Sequence, residues 1–281
     1  MKYAFVLIHF GSNPVYFEYE LYSVFMIRSI CNYDFIYMYS KSDTPSKFVE
    51  VMKKFNVKTV EYDDSIINKK INNFKSVYEH FNTFKTCAFF YANMLTEYDK
   101  VCVIESDQVY KKGFEKVFEL NGPAILYYNQ PSSDYDKHNK LSIDKKFIIS
   151  ECNKNSHTNG GILVFKPDKK IIDTYIKNID IIAEKNCSYP NETLFLYTND
   201  VIYNVPFRYN ASHYMFEKKY SKEILNYHFN SSIYKPLNII KDKFKLDKKF
   251  KIKNEAVELF RNNFYNKYHE RVDELMKYVS S

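Results

Sequence analysis

Apolar and polar positions alternate along the first half of the chain in short blocks. Four apolar runs predict buried strands at Ala4–Phe10, Phe35–Tyr39, Val57–Tyr62 and Val101–Ile104. The segments between them have helical spacing and predict helices over Tyr19–Ile30, Pro45–Phe55 with Thr44 as its cap, and Thr83–Leu95. This alternation predicts an α/β fold with a Rossmann-like, mostly parallel central sheet flanked by helices.

The second half has a less regular pattern. We expect strands over Ala124–Tyr128 and Gly161–Phe165 and a helix over Asp168–Glu184. The polar stretch Gln130–Asn139 predicts a mobile loop, and an amphipathic C-terminal helix is expected over Asn254–Val279.

Composition is that of a globular protein, with 45% hydrophobic and 27% charged residues. The net charge is +7, and almost all of the basic residues are Lys. Proteins that bind nucleic-acid phosphates and bases favour Arg, so we expect no nucleic-acid partner. Seven Lys lie in Lys241–Lys253, where a solvated surface and an anionic or membrane partner both remain open. The Lys, Asn, Ile and Tyr bias indicates an A/T-rich genome, for which a virus is one source.

Five cysteines without C-x-x-C spacing argue against a zinc knuckle and against a disulfide framework, and they favour a reducing compartment. The N-terminal apolar run is too short for a membrane span and lacks a signal-peptide cleavage site. We therefore expect a cytoplasmic protein without a transmembrane segment, and the sequence leaves a homodimer open.

Glycine is scarce, and its five positions contain neither G-x-G-x-x-G nor G-x-x-x-x-G-K-[ST]. A nucleotide diphosphate bound by this chain would therefore need a metal ion in place of a glycine-rich phosphate loop. Glu105 and Asp107 emerge from the buried strand Val101–Ile104, and residues two apart in an extended segment point the same way. Their oxygen ligands suit Mg²⁺ or Mn²⁺, although E-x-D alone also fits an acidic surface turn.

The segment Leu95–Asp107, LTEYDKVCVIESD, resembles the L-x-x-Y-D-K-V-x-x-L-D-x-D passage of glycosyltransferase family 8, the glycogenin-like enzymes of GT-A fold. Further segments resemble motifs of that family in the family's order, from residue 4 to about 238: Phe84–Thr86, Thr158–Phe165, Pro190–Glu192, Val205–Asn210, and His228–Phe229 with Lys235–Pro236. The resemblance implies one glycosyltransferase domain over 1–281, with a nucleotide-binding half (1–120), a donor and acceptor half (121–238) and a C-terminal helical extension (239–281).

The resemblance also implies roles for individual residues. Glu105, Asp107 and His228 would hold Mn²⁺ or Mg²⁺, and Asp107, Lys85, Asn191, Glu192 and Lys235 would form the catalytic group. Contacts to the nucleotide-sugar donor would come from Ile8, Tyr16, Lys85, Ser106, Asn159, Gly161 and Lys235. Several of these have simpler interpretations: His228 as a core imidazole, Lys235 as a solvated side chain, Tyr16 as core packing and Asn159 as a turn residue.

Three departures from the family pattern affect the expected chemistry. Glu105 replaces the usual first Asp, Asn191 replaces an acid, and the segment around Lys235 carries an extra residue. An amide can neither attack as a nucleophile nor take a proton, so an acid function would fall to Glu192. The expected function is metal-dependent transfer of a hexose or N-acetylhexosamine from a UDP-sugar to a glycan or glycoprotein acceptor, with retention. The alternative is a degenerate relative that binds nucleotide-sugar or glycan without catalysis.

Overall fold

The structure is a computed structural model that describes residues 1–72, 85–128, 130–152, 158–185, 187–212, 223–229, 235–241 and 251–280. Its strands are β1 (Tyr3–His9), β2 (Asp34–Ser40), β3 (Lys58–Tyr62), β4 (Lys100–Ile104), β5 (Gln108–Tyr110), β6 (Ala124–Tyr127), β7 (Thr158–Phe165), β8 (Tyr203–Asn204), β9 (Ala211–Ser212) and β10 (Asn226–His228). Its α-helices are α1 (Pro14–Ile30), α2 (Ser46–Lys54), α3 (Ser65–Asn72), α4 (Lys145–Glu151), α5 (Ile172–Glu184), α6 (Pro190–Thr198), α7 (Pro236–Lys241), α8 (Lys251–Phe260) and α9 (Asn266–Ser280).

Seven strands form the central sheet in the order β3-β2-β1-β4-β7-β6-β8. Strands β1 to β4 are mutually parallel, while β7 runs antiparallel to both β4 and β6. The prediction of a mostly parallel sheet with flanking helices and a C-terminal helix is confirmed. Strand order reverses between β1 and β4, and ligands of open α/β sheets bind at such a switch point, beyond the carboxyl ends of the strands.

The core lies on both faces of this sheet. Along β1, Phe5 and Leu7 pack into one apolar cluster and Ala4 and Val6 into another, each side chain at most 2% exposed. This double burial explains the continuous apolar run in the sequence. Burying a side chain of Phe or Leu size stabilises the fold by about 1.5–3 kcal/mol.

The C-terminal helices pack on the face of the sheet that α1 covers. The ring of Tyr22 on α1 meets that of Phe260 at 5.1 Å, and Phe25 stacks on Tyr268 at 4.4 Å. A π-helical turn, Arg261–Tyr265, separates α8 from α9. The predicted single helix is thus interrupted. Most of the predicted lysine-rich segment, residues 242–250, lies outside the described residues.

Several local predictions were wrong in detail. Helix α1 begins at Pro14, five residues before the predicted start, because the Asn13 side chain accepts from the Val15 amide and Pro14 occupies the first turn. Helix α2 has no side-chain cap, so Thr44 does not have its predicted role. The segment Thr86–Met94 is a 3₁₀ helix, and the predicted residues 83 and 84 lie outside the described residues.

The segment Gln130–Asn139, which was predicted to be a mobile loop, makes several hydrogen bonds to β8. Asn204 donates from Nδ2 to the carbonyls of Tyr135 and Lys137, and its own carbonyl lies 2.7 Å from Nδ1 of His138. The cysteine pattern argued against a disulfide framework, yet one pair, Cys152 and Cys187, forms a disulfide. Cysteine spacing could not reveal this pair, since 35 residues separate its members.

Candidate active site

The predicted acidic pair lies where β4 leaves the central sheet. Glu105, Ser106 and Asp107 connect β4 to the short strand β5. Strand β10 pairs antiparallel with β5, which places His228 opposite Gln108, and the Phe229 amide donates to the Asp107 carbonyl at 2.9 Å. This small second sheet brings His228 to the acidic pair from a distant part of the sequence.

Glu105, Asp107 and His228 form a compact group whose potential ligand atoms all lie within 4.8 Å of one another. Nε2 of His228 is 2.9 Å from Oε2 of Glu105 and 3.3 Å from Oδ1 of Asp107. The structure therefore brings together the three residues predicted to hold a metal. Lys235 joins the group, with Nζ 3.4 Å from Oδ2 of Asp107.

The other ring nitrogen of His228 is held by two amide side chains. Nδ1 lies 2.8 Å from Oδ1 of Asn159 and 3.1 Å from Oδ1 of Asn210. Both neighbours are acceptors, so Nδ1 carries the proton and Nε2 faces the carboxylates. Such outer contacts orient metal-binding histidines and set their tautomer.

Gly161 leaves the space that the His228 ring occupies. A Cβ at this position would lie 2.3 Å from Cε1 and 2.4 Å from Nδ1 of His228. Glycine is therefore required here for close approach. Gly161 and Asn159, which were predicted to lie near the donor sugar, both lie against the His228 ring, and their contact with a sugar stays a prediction.

The charges in this group shift one another's protonation. Burial raises the pKa of Asp107, but Lys235 and His228 outweigh it and bring the net pKa to about 2. Burial lowers the pKa of His228, but Asp107 and Glu105 outweigh it and raise the net value to about 10. At neutral pH the metal-free protein therefore holds an Asp107 carboxylate beside a His228 imidazolium.

A pocket of about 490 Å³ opens beside this group at the switch point. Eight residues predicted to belong to the site line it: Ile8, Tyr16, Lys85, Glu105, Ser106, Asp107, Asn191 and Lys235. Four other predicted site residues do not line the pocket: Asn159, Gly161, Glu192 and His228.

On one side of the pocket, which we call the sugar side, the lining includes Gly160 and Asn191. The carboxylate of Glu192 turns toward β7, where Oε1 accepts from the Gly160 amide at 2.8 Å and Oε2 from the Thr158 hydroxyl at 3.2 Å. A Cβ on Gly160 would lie 2.8 Å from Nδ2 of Asn191. Glu192, the acid that the sequence predicted for the site, is thus hydrogen-bonded to the sheet, and the neighbouring Asn191 lines the pocket.

The opposite side, which we call the base side, is formed by the loop between β1 and α1. Lys85 forms an ion pair with Asp43, and Oδ1 of Asp43 accepts from the Gly11 amide at 2.9 Å. The ring of Tyr16 is 49% exposed, and Nζ of Lys235 lies 5.1 Å from its centroid. Tyr16 is thus available to a ligand, unlike a core residue.

Sequence reasoning missed Asp43, Asn210, His9 and Glu20. Asp43 follows β2 at the same edge of the sheet as Asp107, so the rule for carboxyl ends of strands could have identified it. Asn210 ends one of the quoted motifs. The contact between His9 and Glu20 had no local signal, because its chemistry depends on how α1 packs against β1.

The fold resembles those of solved glycosyltransferases. GlyE of Streptococcus pneumoniae TIGR4 matches 96% of this chain with a TM-score of 0.57 at 14% identity, and the chain spans 64% of its length. The galactosyltransferase LgtC, solved with donor and acceptor sugar analogs, matches 91% with a TM-score of 0.54 at 12% identity, and 95% of its length is covered. The central sheet is thus of GT-A type.

In sequence, the chain is 25% identical over 256 residues to an uncharacterized protein of Acanthamoeba polyphaga mimivirus, covering 84% of this chain and 83% of that one. No protein-family model matches the sequence. Among the described helices, none has the length and apolar character needed to cross a membrane.

Proposed function

We propose that this chain is a metal-dependent glycosyltransferase that moves a hexose or N-acetylhexosamine from a UDP-sugar to a glycan or protein acceptor. The observation that carries this proposal is the group formed by Glu105, Asp107 and His228 beside a pocket at the switch point of a GT-A type sheet. The order of motifs resembling glycosyltransferase family 8 adds support. Membership of that family remains part of the proposal.

The residues of this group fit a divalent cation. Oδ1 of Asp107 is buried, and the His228 Nε2 lies 3.3 Å from it, so a cation that replaces the His228 proton could take both atoms as ligands. Two carboxylates and an imidazole suit Mn²⁺, and carboxylates alone would suit Mg²⁺. When bound, the cation would supply Lewis-acid stabilisation of the charge that develops on the departing diphosphate.

Lys235 and Lys85 add positive charge to the same pocket. Nζ of Lys235 is close to Asp107 and its side chain is 12% exposed, so it is positioned to contact a diphosphate beside the acidic pair. Lys85 lines the pocket while it is paired with Asp43. Both cations would stabilise negative charge on UDP more strongly in this partly buried site than in water.

The sugar side favours retention by same-face attack. The acidic residues that line the pocket are Glu20, Glu105 and Asp107, which lie on the base side or in the metal-binding group. Asn191 on the sugar side cannot form a covalent intermediate. In a same-face reaction the acceptor hydroxyl oxygen bonds to the anomeric carbon, the bond from that carbon to the phosphate oxygen breaks, and the leaving phosphate takes the hydroxyl proton.

A second candidate is a non-catalytic relative that binds nucleotide-sugar or glycan. The amide of Asn191 and the bonded carboxylate of Glu192 favour it, because neither supplies a base on the sugar side. Intact UDP binding without turnover of any UDP-sugar would support this candidate. The similarity to a mimivirus protein supports a viral source. The A/T-rich genome, the cytoplasmic location and a homodimer stay predictions.

A screen of UDP-sugars with Mn²⁺ tests the proposal, with UDP release as the measurement. We expect at least one donor to be turned over and the activity to disappear when the metal is removed by EDTA. Transfer with retention would then be read from the configuration of the product. If the unmutated protein turns over no donor, the enzyme proposal loses its support.

A further inference from the structure

Helix α7 is joined to α1 by an ion pair that the catalytic proposal does not use. Nζ of Lys241, the last residue of α7, donates to both carboxylate oxygens of Glu18, at 2.6 and 2.7 Å. The side chain of Glu18 is 8% exposed and that of Lys241 is 41% exposed. A buried carboxylate without its cation is unfavourable, so this pair stabilises the position of α7 against α1.

The same contact gives Lys241 a role inside the fold. Lys241 is the first residue of the lysine-rich segment Lys241–Lys253, for which the sequence left a solvated surface and an anionic partner open. Its ammonium group instead binds an acid that lies 223 positions away in the sequence. The first lysine of this segment therefore has a partner within the chain.

Two further contacts hold the middle of α7 on α1. The Tyr19 hydroxyl donates to Oδ1 of Asn238 at 2.5 Å. Leu237, which is 1% exposed, packs in the same apolar cluster as Tyr19. The helix thus contacts α1 through one apolar contact, one hydrogen bond and the ion pair at its end.

Lys235 directly precedes α7, and its position depends on that helix. The Lys235 carbonyl accepts from the Ile239 amide at 3.1 Å, so its backbone continues into the helix. Its Nζ lies 3.4 Å from Oδ2 of Asp107 and 5.1 and 5.3 Å from the ring centroids of Tyr16 and Tyr19. A shift of α7 relative to α1 would therefore move the ammonium group away from the acidic pair.

We propose that Glu18 and Lys241 are positioning residues for Lys235, because their ion pair holds α7 on α1 and so keeps the Lys235 ammonium group where the donor diphosphate would bind. This inference rests on the proposed nucleotide-sugar function. Glu18 and Lys241 do not belong to the pocket lining, so they act through Lys235. A ligand that binds one arrangement of a protein loses affinity in proportion to the fraction of molecules that leave that arrangement.

The test is calorimetric binding of UDP to the full chain with Mn²⁺. Lys235→Met removes the ammonium group itself and should raise the UDP dissociation constant by about 10- to 100-fold. Lys241→Met should raise it by about 3- to 10-fold, because the remaining contacts of α7 keep part of the molecules in the docked arrangement. Lys241→Arg should bind UDP within about twofold of wild type, since a guanidinium group also donates to two carboxylate oxygens.

A double variant separates positioning from general damage to the pocket. If the ion pair acts through Lys235, then Lys235→Met combined with Lys241→Met should bind UDP as Lys235→Met does alone. A pair that supported the pocket in another way would weaken UDP binding further in the double variant, by the same factor as in Lys241→Met. Denaturant titrations of each variant give the free energy of unfolding and show that the protein used for calorimetry is folded.

Two other variants complete the set. Glu18→Gln breaks the ion pair from the other side and leaves no buried unpaired charge, so it tests the contact even if Lys241→Met does not fold. It should reproduce the loss of UDP affinity. Lys145→Met is the matched control, because Lys145 is similarly exposed, at 36%, and pairs with Asp200 at 2.7 Å outside the pocket lining. It should bind UDP as the unmutated protein does.

Two results would overturn the positioning role. One is wild-type UDP affinity in Glu18→Gln and in folded Lys241→Met, and the other is a further loss of affinity in the double variant beyond that of Lys235→Met. In both cases the proposed function still stands, because the unmutated protein binds UDP. Absence of UDP binding by the unmutated protein would overturn the proposed function as well.

Discussion

The two sides of the catalytic half of the pocket differ in how they hold charge. Around Asp107, two carboxylates face the cationic groups of His228 and Lys235 within 3.4 Å. On the sugar side, Asn191 is neutral and the carboxylate of Glu192 bonds to β7. Under the proposed function, this difference means that the chain would stabilise the leaving group and would supply no nucleophile to the sugar.

The largest effect should come from removing the Asp107 carboxylate. Asp107→Asn keeps the size of the side chain but loses one charge of the proposed metal ligand set, so we expect UDP-sugar turnover to fall by at least about 100-fold. Steady-state rates with Mn²⁺ measure this effect. Asp200→Asn, at an exposed acid paired with Lys145, is the control and should retain full activity. Activity of Asp107→Asn within threefold of wild type would contradict the role.

Two adjacent glycines on β7 offer a direct comparison of the two sides. Gly161→Ala places a methyl group against the His228 ring, and we expect Mn²⁺ affinity to fall by about 10- to 100-fold. Gly160→Ala instead crowds Asn191 and should lower the turnover rate while Mn²⁺ affinity stays near wild type. Calorimetry with Mn²⁺ and steady-state kinetics measure the two quantities. Equal losses of metal affinity in both variants would show that the sides are not separate.

Metal binding should depend strongly on pH. The raised pKa of His228, about 10, means that a proton occupies the ring below that pH and competes with the metal. Mn²⁺ affinity should therefore rise by about tenfold per pH unit between pH 6 and 9. Glu105→Gln removes one cause of the raised pKa of His228, so the rise in metal affinity should level off at a lower pH. A metal affinity that stays constant over this range would exclude the competition.

The same pKa shifts affect the stability of the metal-free protein. Stabilisation from the His228 imidazolium is fully present below its ordinary pKa of 6.5 and is lost as pH rises through about 10. The Asp107 carboxylate works in the opposite direction, with its stabilisation present above 3.8 and lost as pH falls through about 2. The free energy of unfolding from denaturant titrations should show the first loss only without metal.

How much the sequence predicted depends on the range of the interaction. Strands and the acidic pair follow from local apolar runs and period-two spacing, and these predictions agree with β1, β4 and the position of Asp107. The start of α1 was within reach as well, because Asn13 and Pro14 are a recognised helix-start signal.

Contacts that depend on packing were not predictable from patterns. Asn210 reaches His228 because β9 pairs with β10, and Glu20 reaches His9 because α1 lies across the end of β1. Likewise, Glu192 accepts a hydrogen bond from the Gly160 amide of β7, while Asn191 lines the pocket. A motif that places two residues side by side gives no information on which one points into the site.

The smallest expected effect concerns Asn191 and tests the neutral side directly. Asn191→Asp introduces the acid of the family 8 motif and adds a negative charge to the sugar side of the pocket. We expect turnover to change by less than about fivefold, because same-face attack needs no carboxylate there. Asn263→Asp, at an exposed position of the π-helical turn and outside the pocket lining, controls for the added charge. A gain of tenfold or more in Asn191→Asp alone would indicate that a carboxylate is the better group at this position. The neutral sugar side would then have lost catalytic function, whereas the charged metal-binding side would have kept it.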